Sequence, residues 1–142
     1  MKRISRAIVR AACLAALSAG PSIAKAQALS CPSPLQAYTS INLYFGGDIP
    51  GGGKVSRAMF RRFLNATVTP RFPDGVTVTE VTGQYRYRNG RIVVEPSRMV
   101  TVLAKDAEEA GRKVDEIIAA YKQRFRQESV AREQRQECVA FQ

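Results

Sequence analysis

Ala37-Tyr38-Thr39-Ser40-Ile41-Asn42-Leu43-Tyr44-Phe45 sorts its side chains by parity. Ala37, Thr39, Ile41, Leu43 and Phe45 fall on one side, and Tyr38, Ser40, Asn42 and Tyr44 on the other. A strict period of two predicts a half-buried strand. Gly46-Gly47-Asp48-Ile49-Pro50-Gly51-Gly52-Gly53 breaks the alternation. Ser56 then offers a side-chain cap to a helix running to about Asn65, with Met59, Phe60, Phe63 and Leu64 inward and Arg57, Arg61 and Arg62 facing water.

Further along, Pro70-Arg71-Phe72-Pro73-Asp74-Gly75 is a turn cluster. In the strand region that follows, the apolar phase slips between Val78 and Val81, which predicts a bulge or two short strands. Tyr85 and Tyr87 share a face. Asn89-Gly90 is the hairpin signal for a type I′ turn between Arg88 and Arg91. The return strand passes Ile92, Val93 and Val94, meets Pro96, and resumes from Met99 to Leu103. Asp106 with Glu109 forms a capping box. It opens a helix whose apolar stripe is Ala107, Ala110, Val114, Ile117, Ile118, Tyr121 and Phe125, with Glu108–Arg112 and Glu109–Lys113 pairs on its wet side. Ser129 to Phe141 reads as a charged edge strand, a continued helix being the alternative.

Strand, helix, strand, strand, helix, strand is the split βαβ plan. The expected fold is therefore α+β and ferredoxin-like, with a four-stranded antiparallel sheet and two helices on one face. Pro96 falls in the third strand, at the centre of that sheet, where proline removes a ladder hydrogen bond; a bulge at Glu95-Pro96 would accommodate it.

The N-terminus indicates a compartment. Lys2, Arg3, Arg6 and Arg10 precede the apolar run Ala11 to Ala19, and Ala24-Lys25-Ala26 and Ala26-Gln27-Ala28 are small-x-small sites. Residues 1–28 are thus expected to be a signal peptide cleaved after Ala26 or Ala28, leaving residues 29–142 as a single periplasmic or secreted domain. Cys13 lies within that leader. Cys31 and Cys138 remain near opposite ends, where an oxidising compartment favours a disulfide over two free thiols. The split βαβ topology sets the start of the first strand beside the end of the fourth, which is where these two cysteines lie. Export argues against nucleotide, nicotinamide and nucleic-acid partners, and nothing after residue 28 is apolar enough to span a membrane.

The chain contains no histidine. Ser-His and Cys-His nucleophiles are excluded, and no metal site or cofactor is expected. Five of the ten net positive charges belong to the leader, so the mature domain is moderately basic. The topology gathers its cations. The connections at one end of the sheet carry Lys54 and Arg57, then Arg88 and Arg91, then Arg124 and Arg126, with Asp48 and Glu128 the nearby acids. A Gly-rich loop and a helix start fall in the same place, and exposed backbone N–H groups favour anions. These six residues are the expected ligand-binding set, for an anionic small molecule, an envelope phosphate group or an acidic protein patch. Glu95 and Glu128 are a possible carboxylate pair, but nothing in the sequence joins them, and salt bridges to arginines are the expectation for both.

Asp48 to Val55 matches a P-loop poorly, with Asp48 where the first glycine belongs and Val55 where Ser or Thr belongs. Val55-Ser56-Arg57-Ala58-Met59-Phe60-Arg61 resembles the phosphate cradle of acylphosphatases, which share the plan. That resemblance implies Arg61 as the phosphate-holding arginine of a phosphate-ester or acyl-phosphate hydrolase. It departs from the family in having Arg57 at the mid-loop glycine position and no asparagine in the next strand region. Tyr38 and Tyr44 on the outer face, with Tyr85 and Tyr87 near them, motivate a third reading, a homodimer joined through an open sheet face.

Five segments together resemble one family: Leu43-Tyr44-Phe45-Gly46, Val68-Thr69-Pro70-Arg71-Phe72-Pro73-Asp74-Gly75, Gly83-Gln84-Tyr85, Tyr121-Lys122-Gln123-Arg124-Phe125-Arg126-Gln127-Glu128-Ser129-Val130 and Cys138-Val139-Ala140-Phe141. They are similar to the bacterial domain-of-unknown-function family 3574, made of small, often exported proteins. Tyr85 stands where that family often has tryptophan. The resemblance implies an exported single domain and supplies no activity. The sequence therefore leads to a non-catalytic binding module for an anionic ligand or acidic partner in the cell envelope, with the hydrolase and the dimer as alternatives.

Overall fold

The computed structural model describes residues 29–86 and 88–142. The expected leader, Cys13 included, and Tyr87 lie outside the described residues. The elements are β1 (Gln36–Gly46), α1 (Arg57–Phe63), a π-helical turn (Leu64–Val68), β2 (Thr77–Arg86), β3 (Ile92–Ala104), α2 (Ala107–Phe125) and β4 (Ala131–Val139). The sheet order is β2-β3-β1-β4, every neighbouring pair antiparallel, and this is the ferredoxin-like α+β arrangement the sequence predicts.

The parity of β1 holds. Ile41, Leu43 and Phe45 are fully buried against Phe60, Phe63 and Val68 from the first helical segment and Val114, Ile117, Tyr121 and Phe125 from α2. The aromatic rings interlock: Phe45 and Tyr121 centroids lie 4.6 Å apart, Phe63 and Tyr121 5.1 Å, and Tyr121 and Phe125 4.7 Å. Tyr121 also carries a polar atom into this core, and its hydroxyl donates to the Gly46 carbonyl at 2.8 Å. Met59, Leu64 and Phe72 are half-buried at the margin. Both expected helix caps form, Ser56 Oγ accepting from the Met59 N–H at 3.2 Å and Asp106 Oδ1 from the Glu109 N–H at 2.8 Å. The capping box is half made, since the Glu109 carboxylate pairs with Lys113 at 2.8 Å instead of reaching back to the Asp106 N–H.

Four local expectations are corrected. First, β3 is one continuous strand without a bulge at Glu95-Pro96. Its pairing with β1 ends at Gly46↔Ser97, so Pro96 lies just beyond β1 and is paired only with Thr82 of β2. The missing N–H falls where no ladder partner exists. Second, β2 is also continuous and in register throughout. Val78 faces the helices and Val81 the open side, and because β2 is an edge strand neither must be buried; Val78 remains 39% exposed. Third, Arg86 pairs with Ile92, which leaves five residues in the turn. Gly90 has φ +83° and Asn89 is not left-handed, so the type I′ turn does not form. Instead Asn89 Oδ1 accepts from the Arg91 N–H at 3.1 Å. Fourth, the first helical segment runs past Asn65 as the π turn, which brings Val68 into the core.

Cys31 and Cys138, 107 residues apart, are joined by a disulfide. They flank the start of β1 and the end of β4, where Ala37 pairs with Cys138. Among the described residues no helix is long and apolar enough to cross a membrane.

The Tyr121–Gly46 contact sets an expected order of stabilities in urea denaturation. Tyr121→Phe should cost about 1 kcal/mol, the net worth of one hydrogen bond. Gly46→Ala should cost more, about 1–3 kcal/mol, because a side chain there is overpacked; its Cβ would lie 2.7 Å from Glu95 Oε1. Opening the disulfide should cost most, about 2–5 kcal/mol.

Candidate functional site

The β1–α1 loop, the β2–β3 turn and the α2–β4 connection meet at one end of the sheet. β1 stops at Gly46, and the chain folds back on itself as a small hairpin. Asp48 and Lys54 form an antiparallel bridge, the Ile49 N–H donates to Gly53 O at 3.0 Å, and the Gly52 N–H donates to Ile49 O at 3.0 Å. Gly51, Gly52 and Gly53 have φ of +89°, +114° and +93°, a run that L-residues with side chains do not tolerate.

Between this glycine tip and the 88–91 turn lies an open cleft of about 620 Å³. Lys54, Arg88 and Arg91 line it together with Asn89 and the glycines. Arg126 flanks it, with guanidinium nitrogens 3.6 Å from where a Cβ on Gly51 would lie. Two acids share the space: Asp48 pairs with Lys54 at 2.7 Å, and Glu128 approaches Arg88 at 3.9 Å. Four of the six expected cations are thus brought together.

The other two are elsewhere. Arg57 points to β2 and grips Glu80 through two hydrogen bonds of 2.9 and 2.7 Å. Those bonds hold the Glu80 carboxyl below its ordinary value and raise the guanidinium. Arg124 lies over the Phe125 ring, 5.5 Å from its centroid. Arg61 is exposed on α1 and does not line the cleft. The start of α1 is closed by its Ser56 cap. Asn89 is a cleft residue that the sequence suggested only as a turn former; its side chain turns inward to hold the 88–91 backbone.

α2 ends in an unusual way. Arg126 is left-handed at φ +53°, and its N–H and that of Gln127 both return to Lys122 O. The reversal lets Gln127 Nε2 donate to Asp48 O at 2.6 Å, which ties the α2–β4 connection to the β1–α1 loop.

On the side of the sheet away from the helices, polar side chains satisfy one another. Thr101 Oγ1 donates to Asn42 Oδ1 at 2.8 Å, and Glu133 Oε2 accepts from Tyr44 OH at 2.9 Å and from Asn42 Nδ2 at 3.4 Å. The Tyr44 hydroxyl holds the Glu133 carboxyl below its ordinary value, and Glu133 in turn raises the Tyr44 phenol.

The family model described as "Protein of unknown function (DUF3574)" matches residues 40–141. No curated protein matches the chain. Among solved structures, a phage SAM lyase in complex with S-methyl-5′-thioadenosine is similar at TM-score 0.59 and 15% identity, over 83% of this chain and 97% of that one. The apo phage SAM lyase gives TM-score 0.54 and 16% identity over 75% and 93%. CutA from Synechococcus elongatus gives 0.46 and 12% over 74% and 80%. At such identities the likeness to the lyase is one of fold.

Carboxylates held down in the folded state contribute stability above their unfolded pKa and lose it as pH falls through the lower folded value. Glu80 and Glu133 are such groups, with ordinary values of 4.5. Thermal stability should therefore fall as the pH drops below 4.5, and Glu133→Gln should flatten that acid limb by lowering the neutral plateau toward the acid value.

Proposed function

This chain belongs to the DUF3574 family, whose members are of unknown function, and from its own geometry we propose that it is a binding module for an anionic ligand or an acidic partner. The observation that carries this reading is the convergence of Lys54, Arg88 and Arg91, from two connections distant in sequence, onto one cleft. Its third wall is glycine backbone, which a phosphate or carboxylate oxygen can approach without meeting a side chain. Arg126 adds a further positive charge at the rim. Asp48 and Glu128 keep the cations in place in the absence of ligand, and an incoming anion displaces the weaker pair, Arg88–Glu128 at 3.9 Å. Exposed pairs of this kind are worth little, about 0–1 kcal/mol, so the exchange is not costly.

The disulfide fits an oxidising compartment, and we read residues 1–28 as a leader that delivers residues 29–142 as one domain to the periplasm or the medium. A hydrolase built on Arg61 lacks a comparable convergence, since Arg61 stands apart from the glycine loop. A second copy on the open face would meet polar groups already bonded within the chain.

A thermal-shift panel of inorganic phosphate, pyrophosphate, citrate and an acidic peptide, at fixed ionic strength, tests the reading. An anion at a hundredfold over its dissociation constant should stabilise by about 2.7 kcal/mol and raise the midpoint by roughly 10 °C. Lys54→Glu and Arg91→Glu should abolish the shift, and Arg57→Ala, whose guanidinium is spent on Glu80, should leave it intact. A flat panel, or a shift that Arg57→Ala removes and Arg91→Glu does not, would overturn the proposal.

A further inference from the structure

A second cavity, of about 310 Å³, opens on the helix-free face of the sheet, beside the basic cleft but with the opposite character. Its floor follows from strand parity. Gly46 pairs with Ser97 and Gly83 with Glu95, so two glycines alternate with a hydroxyl and a carboxylate across β1, β3 and β2. Both glycines let a polar side chain come close: a Cβ on Gly46 would lie 2.7 Å from Glu95 Oε1, and one on Gly83 would lie 2.8 Å from Ser97 Oγ. Tyr44 and Tyr85 supply aromatic walls, and Val81 and Pro50 apolar ones. Gln127, Glu128 and Ser129 close the far side. Glu95 and Glu128, unconnected in the sequence, thus meet at one cavity.

Two of the polar atoms at the floor, Glu95 Oε1 and Gln127 Oε1, are acceptors only. Glu95 is 9% exposed. Its Oε2 takes the Asp48 N–H at 2.7 Å, and among the described residues nothing donates to Oε1. Gln127 Nε2 is turned away toward Asp48 O and Phe125 O, at 2.6 and 3.4 Å, which leaves its Oε1 facing Gly46, 3.0 Å from the same Cβ position that Glu95 Oε1 approaches. No lysine or arginine lines the cavity, in a chain of net charge +10. Among the described residues no cluster has the three or more metal-ligating side chains that a metal ion would require. A group that donates several hydrogen bonds, carries positive charge and has a short flat body satisfies all of these features at once.

We propose that this cavity binds a small primary amine, its ammonium on Glu95 Oε1 and Gln127 Oε1 and its apolar body between Tyr44 and Tyr85. Buried charge-assisted hydrogen bonds supply the affinity, and the tyrosine faces favour a cation near them. The volume suits a ligand of about ten heavy atoms, at the small end of natural pockets.

The experiment is a ¹⁵N-HSQC titration of the oxidised protein with phenethylamine, 2-phenylethanol and 3-phenylpropionate at fixed ionic strength. The amine should give saturable shifts centred on the Gly46, Gly83 and Ser97 amides. The alcohol and the acid should bind at least about tenfold more weakly, the worth of a hydrogen bond to a charged group. Glu95→Gln, which replaces the carboxylate with a neutral amide, should weaken the amine by a similar factor, and Val81→Trp, which fills the cavity from the edge strand beside Ser97, should abolish binding. Lys54→Glu should leave amine binding intact, which separates this site from the anion cleft. Equal binding of amine and alcohol, indifference to Val81→Trp, or no saturable shift at millimolar amine would overturn the proposal. Should Glu95→Gln fail to fold, the amine–alcohol comparison and Val81→Trp still decide.

Discussion

The end of β1 is crowded from both sides at Gly46 and Gly47, and the rest of the molecule is arranged around that fact. Gly46 takes the Tyr121 hydroxyl on its carbonyl from the core side at 2.8 Å, and its missing side chain leaves the space that Glu95 Oε1 and Gln127 Oε1 occupy on the open side. Gly47 repeats the constraint, since a Cβ there would lie 2.0 Å from the Pro96 carbonyl oxygen. The two glycines let the end of β1 nest against β3 and the last turn of α2 together. The aromatic cluster is anchored through one of these contacts and the ligand-facing end through the others, so core stability and site geometry share a residue.

That sharing explains why some features were legible in the sequence and others were not. β1 and α2 could be read directly because their apolar residues follow a local period, two in one case and close to four in the other, even though the polar Ser40 and Asn42 of β1 are buried as well. The helix caps were legible as local residue patterns, and the disulfide as an even cysteine pair whose two positions the topology sets side by side. Pro96 misled because its cost depends on where β1 stops, and that is set by contacts of Gly46 and Gly47 with residues some fifty positions away. Asn89-Gly90 misled for a similar reason: the Arg86↔Ile92 register, fixed along the whole of β2 and β3, decides the length of the turn, and the dipeptide adapts to it. An edge strand such as β2, wet on both faces, carries no periodic signal strong enough to settle its own phase.

The basic end was legible as a location because topology alone brings three connections together. Which cations serve it was not, because pairing is a tertiary event. Arg57 is spent on Glu80, 23 residues away, while Arg126 reaches the glycine loop because it is itself left-handed at the end of α2, which no local signal announces. Glu95 was harder still. Its burial comes from a loop folding over it, and in the sequence it is one acid among twelve.

The cleft and the cavity lie side by side and share Pro50 and Glu128, yet they carry opposite charge. Strand parity accounts for the separation. At this end of the sheet the side chains of β1, β2 and β3 that face away from the helices are tyrosine, glycine, serine, valine and glutamate, and none is basic. Cleft cations sit on loops instead, whose long side chains extend over the rim toward water. The basic residue nearest the floor is Arg98 of β3, which faces the helices beside Phe45, and a one-residue slip of β3 that turned it onto the floor would also turn Val100 and Val102 out of the core. The hydrophobic register that folds the sheet therefore also keeps the cavity acidic, and the two neighbouring sites remain distinct for the same reason that the core is dry.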